Sequence, residues 1–404
     1  MTEPLVFAGG TVVTPFREMM ADVVVEGAWI REIRPPAPPR PGERVIDCTG
    51  KYVGPGLVDI HVHGGAGNDF VTDDADEMLR GVEYHLSQGT TGITPSCLSV
   101  PFSQARRSIA AAREAARWFA GTVLGYHVEG MYLDQTFRGG HLTDYVHNPD
   151  PAEYLPLIEA DGDFITEWTL APELPGALGV IRACREAGIV TSVGHSQATY
   201  EEMMLAIEAG LRHATHLACA SGNLRNEPLR ESTGLGYAPG VVETVLLRDE
   251  LTTEVIVDGF HLHAGLIHLA LKCKGSQGLC LVSDSMKGVG LPDGEYIIGD
   301  QRCVVEGGIA LIADRPGAIA SSVTPLSGML RYAHRSYHIP LAVAWTMASS
   351  TPARVIGVDD RKGSLAAGKD ADILILDREL QVAGVIAKGV IVAVTPGATL
   401  PGHA

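Results

Sequence analysis

The sequence predicts an α/β protein: a (β/α)8 TIM-like barrel with a small β-sandwich domain formed by the N- and C-terminal segments. Three observations predict it. Apolar β-type runs alternate with helical stretches, giving eight runs between residues 53 and 285. Metal-competent residues stand at the C-terminal ends of several of those runs, where a barrel gathers its active site. Both chain ends are strand-rich. A doubly wound open sheet usually has fewer strands and a glycine-rich phosphate turn after the first. No GxGxxG or Walker sequence occurs here.

Residues 1–50 read as short strands and turns. "ADVVVEGAWIREI" alternates and is rich in β-branched residues. "RPPAPPRPGE" (34–43) is a surface loop, too rigid and donor-poor for a strand or helix. The barrel runs are then "VGPGLVDIHVH" (53–63), "GITPSCLS" (92–99), "VLGYHVEG" (123–130) and "FITEWTLAPE" (164–173). They continue with "IVTSVGHS" (189–196), "HATHLA" (213–218), "TTEVIVDGFH" (252–261) and "LCLVSDS" (279–285). Helices are expected over 74–88, 102–119, 176–187, 199–209 and 264–272, and again over 325–337 and 340–349. Residues 286–312 interrupt the order as a hairpin insertion, with turns at "PDGE" and "EGG". The expected division is 1–52 plus 357–404 for the small β domain and 53–356 for the barrel.

The chain has 404 residues, enough for a barrel of about 250 and a smaller unit. Its formal charge of −17 argues against a nucleic-acid partner, which usually meets a basic patch. No apolar run approaches the roughly 18 residues of a membrane span, and the N-terminus lacks the pattern of a signal peptide. Cys48, Cys97, Cys184, Cys219, Cys273, Cys280 and Cys303 are odd in number and form no CxxC pair. A reducing compartment is the simplest account, and the expected location is cytoplasmic.

His61 and His63 are two apart on a strand, so they point to one side. Glu129 ends the third run, His195 falls near the end of the fifth, His216 in the sixth, and Asp284 near the end of the eighth. Six such groups would converge at one barrel mouth. Imidazole plus carboxylate without thiolate suits a divalent metal, zinc first, with iron, manganese or cobalt possible. A metal with an open position lowers the pKa of bound water towards about 7. Hydrolysis then needs a proton acceptor that can also serve the leaving group, and Asp284 is the candidate. A plain ligand role for Asp284 stays open beside it.

"DIHVHGG", "HVEG", "GHSQATYEE", "THL", "DGFHLH", "SDS" and "GSLAAGKDADILILD" together resemble the amidohydrolase superfamily. Within it, "VGHSQATYEE" and the Glu-Gly pair followed by Gly139-Gly140-His141 most resemble the N-acetylglucosamine-6-phosphate deacetylase family. The likeness covers nearly the whole chain. It implies removal of acetate from a small-molecule N-acetyl amino sugar, and a homodimer. It implies Glu129, His195 and His216 as the principal metal site. His61 and His63 match an extra pair that only some members keep, which leaves room for one or two ions, with Glu129 bridging. Asp284 matches the catalytic aspartate, His141 a histidine near the sugar and the carbonyl, and His261 a substrate histidine. Related enzymes bridge two metals with a carboxylated lysine, but no lysine lies between Lys51 and Lys272.

The resemblance weakens at the substrate's far end. The segment after His216 reads "HLACAS" where the family has "HLFNAM", so Cys219 replaces an asparagine, followed by Ala220. Tyr237 in "GYAPG" stands where an arginine is usual, and tyrosine cannot offer a guanidinium fork to phosphate. Met131 and Tyr132 also depart from the pattern. Arg138, Arg225 and Arg230 are the basic residues near enough in sequence to compensate. The expectation is a deacetylase with Gly140, His141, Cys219, Ala220, Tyr237 and His261 around the sugar, which is either 6-phosphorylated or not. An amidohydrolase acting on another small N-acyl or amide substrate is the alternative.

Overall fold

Six parallel strands curl side by side in chain order: β1 (Leu57–Val62), β2 (Thr90–Cys97), β3 (Tyr126–Glu129), β4 (Ile165–Leu170), β5 (Val190–Val193) and β6 (His213–Ala214). A parallel pair, β7 (Thr253–Val255) and β8 (Leu279–Leu281), completes the ring. Backbone hydrogen bonds close both seams. Ala214 N–H donates to Thr252 O (3.0 Å) and Leu217 N–H to Glu254 O (2.9 Å). Across the other seam, Asp284 N–H donates to His61 O (2.9 Å) and His63 N–H to Ser285 O (2.8 Å). This is the expected (β/α)8 barrel, seen in a computed structural model that describes residues 3–15, 17–118, 121–222, 238–298, 301–315 and 317–394.

Helices wrap the strands through apolar faces of helical period. In α1 (Ala75–Ser87), Met78, Val82 and Leu86 are buried at four-residue spacing, and the Asp74 side chain caps the start by accepting from Asp76 N–H (2.9 Å). α2 (Phe102–Trp118), α4 (Ala177–Glu186), α5 (Tyr200–Ala209) and α7 (Ala264–Gly278) follow expected stretches, and so do α8 (Leu326–Arg335) and α9 (Leu341–Met347). Two helices between barrel strands were not expected: α3 (Pro151–Asp161) and α6 (Val241–Leu247). A third, α10 (Ser350–Val355), follows α9. Among the described residues no helix is long and apolar enough to cross a membrane.

Strands from both chain ends make the β-sandwich. One sheet orders Trp29–Arg34, Asp22–Glu26, Leu5–Ala8 and Arg44–Asp47. The other orders Val390–Val394, Val382–Ala387, Ile373–Leu376, Tyr52–Pro55, Thr11–Val13 and Glu18–Met20, so N- and C-terminal strands share it. Phe7, Val23, Ile46, Val53, Ile373 and Ile386 fill the space between. Trp345 on α9 donates its indole N–H to Pro55 O (2.8 Å), which ties the sandwich to the barrel. Nearby, buried Lys362 pairs with Asp370 (3.0 Å) and Asp372.

The insertion is larger than the expected hairpin. Strands Gly294–Ile298, Gln301–Glu306, Ile309–Ile312 and Ile319–Ser322 form an antiparallel sheet. Its "EGG" turn is a two-residue loop with Gly307 at φ +60° and Gly308 at φ +86°, as a type I′ hairpin requires. "PDGE" instead leads into the first strand. The last strand bridges Ser322 to Ser285, beside Asp284.

Candidate active site

His61 lies in β1 and His63 just beyond it, with their Nε2 atoms 3.1 Å apart. Glu129 is the last residue of β3. His195, His216 and Asp284 fall two to three residues past the ends of β5, β6 and β8. All three have left-handed backbones, at φ +50°, +25° and +43°. Non-glycine residues in that region are strained, by about 1–3 kcal/mol each, and such strain clusters at functional sites. The sequence runs end in these sharp turns, not in straight strand. All six side chains are buried.

Glu129 stands at the centre. Its Oε1 lies 3.1 Å from His195 Nε2 and 3.1 Å from His216 Nε2. Its Oε2 lies 3.3 Å from His63 Nε2, and 3.5 Å from both His61 Nε2 and His141 Nε2. Asp284 Oδ1 is 3.2 Å from His63 Nε2 and 3.7 Å from His61 Nε2. Ligands at about 2.1 Å from a tetrahedral ion are separated by about 3.4 Å. One carboxylate therefore faces two groups of ligand atoms at ion-binding spacing.

The hydrogen bonds behind the rings decide which nitrogen is free. His195 Nδ1 is 2.9 Å from Phe137 O, and His216 Nδ1 is 3.1 Å from Cys219 O. His61 Nδ1 is 2.9 Å from Glu254 Oε2. Each acceptor lacks a hydrogen, so each ring donates from Nδ1 and turns an Nε2 lone pair inward. His195 Nε2 and His216 Nε2 sit 3.2 Å apart with Glu129 Oε1 beside both. Three acceptors facing one another are relieved by a cation, and the donor set fits a divalent metal.

His141 is held the other way. Ser99 N–H donates to its Nδ1 (2.9 Å), so the neutral ring carries its proton on Nε2. Burial, then the neighbouring His195, pushes His141 down to about 4. It is a neutral donor aimed at the site and not a further ligand, although it falls within reach of Glu129 and His195. Gly130 makes room for this arrangement: a Cβ there would stand 2.3 Å from Ser99 Oγ. Burial alone would raise the Glu129 carboxyl, but the neighbouring His61 and the hydrogen bond from His141 outweigh it and hold it well below the usual range. Asp284 is lowered by the same contest, burial against His61 and His63. Both are ionised at neutral pH.

A cavity of about 410 Å³ opens over these groups. His195, His216, Asp284, His261, Cys219 and Arg315 line it, and so do Gly140 and Ala220. His261 donates Nδ1–H to Asp258 Oδ2 (2.7 Å). Burial pushes the Cys219 thiol up to about 12, with Asp284 and Asp258 adding to it, so Cys219 is a neutral wall group and not a nucleophile. Tyr237, Arg225 and Arg230 lie outside the described residues. Larger cavities, such as one of about 480 Å³ between Thr14 and Lys369, touch none of the histidine clusters.

Two contributors were not anticipated, Arg315 and Glu254. Arg315, from the insertion, enters the cavity wall and donates to Gly139 O. Arg138 lies close enough to lower its pKa, after burial, and neither guanidinium has a carboxylate partner among the described residues. Glu254 on β7 holds the His61 ring and also accepts His216 N–H (3.0 Å). Its signal was a lone carboxylate inside the apolar run "TTEVIV".

Residues 52–392 match the model of the Amidohydrolase family. The chain is 32% identical over 345 residues to an N-acetylglucosamine-6-phosphate deacetylase of Lysinibacillus sphaericus, covering 83% of this chain and 84% of that one. It is 31% identical to an N-acetylgalactosamine-6-phosphate deacetylase of Escherichia coli O157:H7, covering 84% and 87%. A solved structure of N-acetyl-D-glucosamine-6-phosphate deacetylase from Mycobacterium smegmatis, in complex with N-acetyl-D-glucosamine-6-phosphate, superposes with a TM-score of 0.87 at 30% identity. That superposition covers 97% of this chain and 100% of the other.

Proposed function

The chain belongs to the amidohydrolase family, and on that premise we propose that it is a metal-dependent hydrolase removing acetate from an N-acetylated amino sugar, either N-acetylglucosamine-6-phosphate or a non-phosphorylated relative. The observation that carries this reading is Glu129, whose two oxygens each face a different set of histidines, with Asp284 beside one set. Glu129, His195 and His216 would hold one divalent ion, zinc by donor type. His61 and His63 offer a second position that shares Glu129. An ion there supplies Lewis acidity, which lowers the pKa of water towards about 7 and polarises a carbonyl.

The chain's own groups do the rest. Asp284, ionised at the edge of the cavity, accepts a proton from the attacking water and passes it to the amide nitrogen as the C–N bond breaks. One water and one amide thus give acetate and a free amine. His141 donates Nε2–H to the carbonyl oxygen as charge builds there. His261, fixed by Asp258, and Gly140, Cys219 and Ala220 surround the sugar. Arg315 in the wall supports an anionic group at the far end. Cys219, which replaces an amide side chain, supports the second reading, a family member acting on another small N-acyl or amide substrate.

The resemblance also supports a homodimer, and seven free cysteines support a cytoplasmic location. A hydrophobic core drawn almost wholly from the terminal segments, with Val53 the one exception, supports the division into a 53–356 barrel and a 1–52 plus 357–404 sandwich. The test is acetate release by zinc-loaded enzyme from N-acetylglucosamine, N-acetylgalactosamine and their 6-phosphates. Preference for a 6-phosphate assigns the anion to Arg315 and its neighbours. Preference for a free sugar assigns a changed specificity to Cys219 and Tyr237. No release from any of the four rejects the amino-sugar reading.

A further inference from the structure

Below the mouth, the barrel interior holds a second charged cluster. β4 contributes Glu167, β6 His213 and β7 Glu254, all fully buried. Barrel interiors are ordinarily filled by branched apolar side chains. Here two carboxyls and an imidazole bring one ligand atom each to within 4.8 Å of one another, and His213 Nε2 is 3.7 Å from Glu254 Oε1.

Their outer atoms are already engaged. Glu167 Oε1 accepts from Ser192 Oγ. Glu254 Oε2 accepts from His61 Nδ1 and from His216 N–H. His213 Nδ1 lies 2.6 Å from Thr252 Oγ1, whose own hydrogen is directed to Arg212 O (3.4 Å). The hydroxyl oxygen therefore accepts from Nδ1, and His213 Nε2 keeps a lone pair. The inner atoms, Glu167 Oε2, His213 Nε2 and Glu254 Oε1, have no hydrogen-bond partner. With His213 neutral, three buried acceptors converge with no donor among them. A water molecule has two hydrogens and leaves one acceptor bare, at a cost of about 1–3 kcal/mol or more. One cation satisfies all three and offsets the buried negative charge.

We propose that Glu167, His213 and Glu254 form a second metal site inside the barrel, separate from the catalytic pair and holding a divalent first-row cation, zinc by its one-imidazole, two-carboxylate donor set. The cavity lining includes none of the three residues, so this ion takes no part in the chemistry directly. It acts through Glu254. The inner oxygen of that carboxylate binds the ion, while the outer one orients the His61 ring and the His216 backbone. The ion in the floor thus fixes the geometry of the site above it. Its competitor is a proton, either on Glu167, whose carboxyl burial pushes up to about 7, or on His213 Nε2, whose pKa Glu167 and Glu254 raise against burial.

Anomalous diffraction above and below the zinc edge, on full-length protein expressed with added zinc, tests this directly. The expected result is a peak bonded at about 2.0–2.2 Å to all three inner atoms, in addition to density at Glu129, His195 and His216. A map without a peak among the three inner atoms, whatever the mouth contains, overturns the proposal and leaves the shared proton. Metal analysis in solution gives an independent reading. The Glu167→Gln/His213→Gln double variant should hold one equivalent of zinc fewer per chain than wild type. Equal content in the folded variant overturns the proposal, and if that variant does not fold the diffraction result decides alone.

Discussion

Two buried charge clusters, one in the sandwich and one in the barrel, balance themselves differently. Beside the sandwich, Asp370 and Asp372 share Lys362, so the chain supplies its own cation from a side chain ten or fewer residues away. In the barrel, Glu129, Asp284, Glu167 and Glu254 have only histidines as ion-pair partners among the described residues, and several of those rings are turned so that a lone pair points inward. A lysine closes a charge permanently. An imidazole lone pair leaves it open for an ion. The first arrangement serves the fold, and the second leaves coordination sites for chemistry.

Substitutions that separate stability from activity test this contrast. Asp284→Asn should lower kcat by about 10²–10⁴ with little change in the unfolding midpoint, since it removes proton transfer from a side chain at the cavity edge. Zinc bound at the His195 and His216 half should persist. Loss of that zinc together with the activity would make Asp284 mainly a ligand. Lys362→Met should do the reverse, destabilising by about 3–5 kcal/mol in urea titrations by leaving two carboxylates without their cation. Its kcat and metal content per folded chain should match wild type, and a matched loss of kcat would erase the distinction drawn here. Glu254→Gln falls between them. Loosening His61 from behind should weaken metal affinity by about 10–100-fold, read by competition with a chromogenic chelator, with a smaller change in stability.

The smallest effect concerns pH. His85 donates to Gly64 O (2.9 Å), just past the His-x-His pair, and burial pushes it down to about 4. The unfolded chain protonates this ring near pH 6.5, while the native state resists until about 4. Its contribution is therefore present above pH 6.5 and lost as pH falls towards 4, by about 2 kcal/mol at pH 5. Urea midpoints of wild type and His85→Gln at pH 7 and pH 5 should diverge by that amount, and parallel curves would exclude His85 as the source.

What the sequence disclosed follows from which signals are local. The eight strands were legible because each is an apolar run. The His61–His63 pair was legible because a strand repeats every two residues. α3 was missed because Pro156 lies inside it and only Tyr154 and Leu157 are buried. α6 was missed because "VVETVLL" has the β-branched look of a strand. It is helical because the Glu243 side chain accepts Gly240 N–H (2.9 Å) and starts a turn there. Among site residues, those ending apolar runs were found. Glu254, Glu167 and His213 were not, since none of them ends an apolar run and only the closed barrel brings β4, β6 and β7 together. Arg315 was hidden because nothing local says that the insertion folds back over the mouth.

The seam between β8 and β1 has a consequence in time. Synthesis proceeds from the N-terminus, and all five candidate metal ligands lie within the first 216 residues. Asp284 arrives later, and its amide docks on His61 O only when the last barrel strand closes against the first. A growing chain thus carries all five candidate ligands before it carries the candidate acid–base group. The order of synthesis therefore separates the candidate ligands from the candidate acid–base group, and a chain truncated before β8 would lack Asp284 and the seam that docks it.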